Sequence, residues 1–160
     1  MPAASPFTHI DDGLKAHIES GVAIVVGTRD ARLSPEITRG WGPRILPDRT
    51  SIQLWISRST GARTLENLRE NGEIAATFCL PTDYKAIQLK GHVVGYGEEL
   101  TAADRGWVVR HRDAFAEQTE LVGVPKYLVS RTFSDDLVRV EFVVREGFNQ
   151  TPGPGAGATL

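Results

Sequence analysis

From Ser51 to Ser57 the chain alternates strictly, with Ile52, Leu54 and Ile56 on one side and Gln53, Trp55 and Ser57 on the other. A period of two fits a strand with one apolar face, whereas a helix would repeat its apolar residues every three or four positions. Other segments read the same way. Val22 to Thr28 is a continuous apolar run, Pro35 to Trp41 a weaker strand, and Glu73 to Cys79 and Leu137 to Val144 are further strands. In the strand Ala86 to Gly95, Ile87, Leu89 and Val93 lie opposite Gln88, Lys90 and His92.

Helices fill the gaps. Ile10, Leu14 and Ile18 recur at helical spacing and Gly21 stops them, so Asp11 to Ser20 is helical. Gly61 to Asn71 is a second helix. Thr101 with Asp104 starts a third that carries Trp107, Val108 and Phe115 and ends before Gly123. Pro125 starts a fourth, to about Phe133. Short strands with tight connections and few helices predict a mainly β fold, a closed antiparallel β-barrel with short α-helices packed outside. Residues 1–146 form the expected barrel domain, and 147–160 a Pro/Gly-rich tail. Composition alone favours disorder there, yet Phe148 to about Pro154 directly follow the last strand and are expected to be ordered near the ligand site, along a dimer interface.

The 160 residues suit one domain with one substantial core. A formal net charge of -2, with both signs interspersed, argues against nucleic acid or an anionic membrane as the main partner. The single cysteine, Cys79, excludes an internal disulfide framework and multi-cysteine metal sites, and reads as a small buried hydrophobe. His9, His17, His92 and His111 lack metal-ligand spacing, so no metal is expected. No segment approaches the ~20 apolar residues of a membrane span, and the expectation is a soluble cytoplasmic protein.

Two groups of residues can carry chemistry. Ser57, Arg58, Ser59 and Thr60 lead into the helix whose first turn holds Arg63. A cation there opposes the positive end of the helix dipole unless an anion is also present. Hydroxyls, arginines and free N–H groups together suit a phosphate monoester; a capped surface helix with solvated arginines gives the same local pattern. Gln88 and Lys90 share one face of the strand that follows, and Gln can both donate to and accept from a heteroaromatic ring edge. The polar outer face of a half-buried strand reads identically. Trp41, Trp55 and Trp107 are core or interface anchors, and Trp55, on the face of Ser57, could stack on a ring.

The runs Ala62 to Gly72, Ile74 to Phe78 and Ile87 to Val93 resemble the pyridoxamine 5'-phosphate oxidase-related, FMN-binding split-barrel superfamily, over about Ser20 to Val144. The resemblance implies FMN contacts from Ser57 and Arg58 at the strand end, phosphate binding by Arg63, flavin contact from Gln88, and an arginine, Arg39, that also lines the flavin. Thr64 and Ala62 stand where the oxidase has lysine and serine. It implies a homodimer with FMN at the subunit interface, acting by hydride or electron transfer on a small-molecule substrate or electron donor. A binding module without turnover, or a deazaflavin in place of FMN, keeps the same fold.

Overall fold

The computed structural model describes residues 7–160 and contains six strands and four helices. In chain order these are α1 (Asp12–Ile18), β1 (Ala23–Arg29), β2 (Pro35–Ile45), β3 (Ser51–Ser57), α2 (Ala62–Asn71), β4 (Glu73–Cys79), β5 (Ala86–Gly97), α3 (Ala102–Leu121), α4 (Lys126–Thr132) and β6 (Leu137–Asn149). The strands close into an antiparallel barrel in the order β1-β2-β3-β6-β5-β4, with β1 paired back to β4. The mainly β barrel expected from the alternation is therefore the fold. Three strands outrun their expected ends. β2 passes through Gly42-Pro43, which reads as a turn in sequence, because Gly42 takes a positive φ of 58° and the register shifts there as a bulge. β5 runs to Gly97, and β6 continues through Gly147 to Asn149.

Two apolar layers hold the structure. Inside the barrel, Ile24, Val26, Leu54, Ile56, Phe78, Leu89, Val140 and Phe142 are inaccessible to solvent. Burying each such side chain contributes about 1.5–3 kcal/mol. Leu65 and Leu68 of α2, Ile18 of α1 and Ile10 just ahead of it join this core. Asp11 caps α1 by accepting from the Leu14 N–H, and Thr101 caps α3 by accepting from that of Asp104.

The second layer lies outside the barrel. α3, 20 residues long, and α4 pack over Trp41, Trp55 and Leu137 through Val108, Phe115 and Val129. This leaves Trp55 as a core anchor and corrects the reading that it could stack on a ring. Trp55 is 0 % exposed and Ser57 4 % within a single chain, so this face of β3 draws its cover from the chain's own helices. The helices are also not uniformly short.

The seam between α3 and the barrel carries a buried histidine. His111 Nδ1 accepts from the Gly42 N–H at 3.0 Å, which fixes the proton on Nε2, donated to the Val22 carbonyl at 3.0 Å. Both partners are backbone groups, so only the neutral ring satisfies them. Burial pushes the His111 pKa down to about 4 from its ordinary 6.5. Below pH 6.5 the unfolded chain takes up this proton before the folded one does, so the contribution of neutral His111 is complete above that pH and fades as pH falls toward about 4. The full loss is on the order of 3 kcal/mol. Urea unfolding between pH 7 and 4.5 is expected to show stability falling with acid, and the fall to be shallower in His111→Gln by up to ~1.4 kcal/mol per pH unit. Parallel pH profiles for the parent and the variant would contradict this assignment.

Candidate functional site

Because β1 pairs with both β2 and β4, residues that point out of the barrel line up in rows across five strands. One row runs Arg39, Val25, Thr77, Gln88, Phe148, each the direct register partner of the next. Counted along the sheet at ~4.8 Å per strand, Arg39 and Gln88 stand three strands, roughly 14 Å, apart on the outer surface. The adjacent row runs Ile37, Gly27, Ala75, Lys90, Glu146. Gly27 and Ala75 add almost no bulk, so the sheet surface sinks there into an open groove of about 620 Å³, bordered by Glu36, Ile37, Lys90 and Glu146. That volume lies within the ~300–1,000 Å³ of small-molecule sites. Apolar surface is left open beside it, with Ile37 69 % and Val25 41 % exposed.

Arg39 is the unusual member. Its guanidinium is half-buried against the rings of Trp41 (5.9 Å) and Phe115 (5.1 Å), and among the described residues its buried Nη1 finds no hydrogen-bond partner. Burial pushes its pKa down. A buried donor left unsatisfied costs roughly 1–3 kcal/mol, which an acceptor arriving from outside the chain would recover. Gln88 donates from Nε2 to Thr77 Oγ1 at 3.1 Å. Lys90 is exposed, with Nζ 4.8 Å from the centre of the Phe148 ring.

The start of α2 is organised differently from the phosphate cradle read in the sequence. Ser57 Oγ donates to Asp136 at 2.7 Å, the Ser59 N–H donates to the same carboxylate at 2.9 Å, and Ser134 Oγ joins them. Hydrogen bonds from Ser134 and then Ser57 hold the Asp136 carboxyl well below the usual range. The Thr60 N–H closes the turn onto Ser57 Oγ. Arg58 pairs with Glu98, which also receives Arg69 at 3.2 Å. Arg63 pairs with Asp30 at 3.1 Å and more loosely with Glu66. The Asp30 carboxyl is itself shifted down, first by the Ser34 N–H. Carboxylates of the chain thus supply the anions that these donors called for. No side chain caps α2, and no acidic residue lies in its first turn.

The nine candidate residues therefore fall into four places. Lys90 borders the groove, with Arg39 and Gln88 on the adjacent outward row; Ser57, Arg58, Ser59 and Thr60 form the turn around Asp136 and Glu98; Arg63 faces the β1–β2 turn; Trp55 lies under α3. Asp136, Glu98 and Thr77 were not singled out from sequence, whereas Phe148 was read only as part of the tail. Ser134 and Asp136 had a local signal, since Ser and Asp between a helix and a strand favour side-chain to backbone hydrogen bonds. Among the described residues no group of three His, Cys, Asp or Glu is arranged to hold a metal, and no helix is long and apolar enough to cross a membrane.

No protein-family model matches the chain, and no curated protein matches it. Solved structures do. HupZ of Group A Streptococcus is 21% identical, covers 92% of this chain and 99% of its own, and superposes with a TM-score of 0.55. An F420 reductase is 12% identical over 86% of this chain and 98% of its own, with a TM-score of 0.58. A Clostridium acetobutylicum protein related to general stress protein 26, of the pyridoxinephosphate oxidase family, is 17% identical over 86% and 84%, with a TM-score of 0.51. What these chains have in common is the architecture: the protein has the split-barrel fold of the pyridoxamine 5'-phosphate oxidase type.

Proposed function

We propose that the chain binds FMN on the grooved face and acts as an oxidoreductase toward a small molecule. The observation that carries this reading is the unpartnered Nη1 of Arg39 on the same outward row as Gln88. A half-buried cation without an acceptor, a low floor at Gly27 and Ala75, and an amide across the floor suit a flat, anionic, heteroaromatic cofactor. Arg39 supplies charge, and Gln88 supplies the contact to the ring edge. Arg63 and the uncapped first turn of α2 serve the phosphate, with the ligand displacing Asp30 from Arg63. Ser57, Arg58, Ser59 and Thr60 then hold the strand-to-helix turn rigid through Asp136 and Glu98. Bound flavin would supply hydride or electron transfer, leaving the chain to bind, orient and shape the pocket. The likeness to an F420 reductase supports a deazaflavin as the second reading.

A homodimer belongs to the same proposal. The α3–α4 corner exposes Leu121 (74 %), Val122 and Tyr127. Apolar side chains clustered on one corner favour burial against a second copy.

Titration calorimetry is expected to give tighter binding of FMN than of riboflavin, and Arg39→Ala to weaken FMN binding by about 1.5–3 kcal/mol, as for a hydrogen bond to a charged group. Arg63→Ala should narrow the gap between FMN and riboflavin, whereas equal affinities in the parent would refute the phosphate assignment. Light scattering should report a dimer that Leu121→Asp weakens. A parent that is monomeric at micromolar concentration would remove the dimer.

A further inference from the structure

The C-terminal tail is built into the end of the grooved face. Beyond Val144, β6 no longer has β3 beside it, and the tail turns back to take that edge. The Asn149 N–H donates to the Ala158 carbonyl at 2.8 Å and the Leu160 N–H to that of Gly147 at 2.9 Å, while Phe148 bridges Thr159. On the other edge the Gln150 N–H donates to the Ala86 carbonyl at 2.7 Å. Phe148 is therefore fixed from both sides, although its ring belongs to neither apolar core.

That ring carries the Lys90 ammonium 4.8 Å from its centre. Glu146 stands opposite Lys90 in register, and Glu73 is engaged by His92 at 3.3 Å and Arg145 at 3.8 Å, yet among the described residues Lys90 forms no ion pair. An exposed cation–π contact contributes only ~0.5–1 kcal/mol, so it positions the ammonium without neutralising it. The small side chain of Ala75 stands beside Lys90 and leaves open surface at the groove floor, with Gln88 one row away. Glu36, Glu73 and Glu146 line the same groove together with Arg29 and Arg145, the last of these paired with Glu73.

We propose that Lys90, positioned by Phe148 and the folded-back tail, recognises a planar aromatic monocarboxylate that enters the groove as the co-substrate. The role as co-substrate rests on the flavin reading; the binding site itself is open to test without flavin. Salicylate and its neutral counterpart salicylamide are suitable probes, each titrated calorimetrically into the full-length protein. Salicylate is expected to bind at least about tenfold more tightly, the worth of ~1.4 kcal/mol. Lys90→Gln should bring the two to parity, Lys90→Arg should keep the preference, and Phe148→Leu should reduce it several-fold. Equal affinities in the parent, or a preference that survives Lys90→Gln, would overturn the site. FMN titration of the same proteins separates the two ideas. A parent that binds FMN but does not discriminate the probes overturns this site alone, and one that discriminates them without binding FMN overturns the flavin reading alone.

Discussion

The pairing of β1 with β4 is the contact on which the remaining geometry depends. It joins Ala23 to Cys79 and Gly27 to Ala75, and turns an open sheet into a barrel without an exposed edge. Closure forces every second residue inward, and the same register sets which outward residues meet. Val25 then lies between Arg39 and Thr77, and Gly27 between Ile37 and Ala75. The groove is thus a by-product of packing the core. Bulky side chains at Gly27 and Ala75 would fill it and leave the interior unchanged.

Charge on this chain is mostly settled internally, which makes the exceptions informative. Asp136 gathers Ser57, Ser59 and Ser134, Glu98 gathers Arg58 and Arg69, and Asp30 holds Arg63. Exposed pairs of this kind contribute about 0–1 kcal/mol each, so a competing phosphate could displace one. Arg39 differs, because a guanidinium packed between Trp41 and Phe115 is partly desolvated and its Nη1 remains unmatched. A surface arginine costs nothing to leave in water. This one calls for an acceptor.

The strands and helices were legible because period-two and helical patterns are local properties of the chain. Ile52, Leu54 and Ile56 all reach the barrel interior, as their alternation required. The β2 bulge was not legible, since Gly42-Pro43 gives the same signal whether a chain turns or carries on past a bulge. Trp55 is the core anchor its type suggested, but its availability to a stacked ring was misjudged for a different reason. Alternation assigned its face but not the cover of that face, and α3, which supplies Val108 and Phe115, lies far later in the sequence. The candidate site was half legible: Gln88 and Lys90 share a face by their spacing, but their alignment with Arg39 requires the β1–β4 register, which no local pattern encodes. Likewise Asp136 meets Ser57 across a separation of 79 residues.

The central claim is that FMN lies on the outward rows that join β2, β1, β4 and β5. Its most direct test is a two-dimensional NMR titration of the isotope-labelled protein with FMN. The account predicts that the backbone amides of Val25, Gly27, Ala75 and Thr77 and the side-chain amide of Gln88 shift together and saturate at one site per chain. Saturable shifts confined to the α3–α4 corner or to the Ser57–Thr60 turn, with these five signals unmoved, would contradict it.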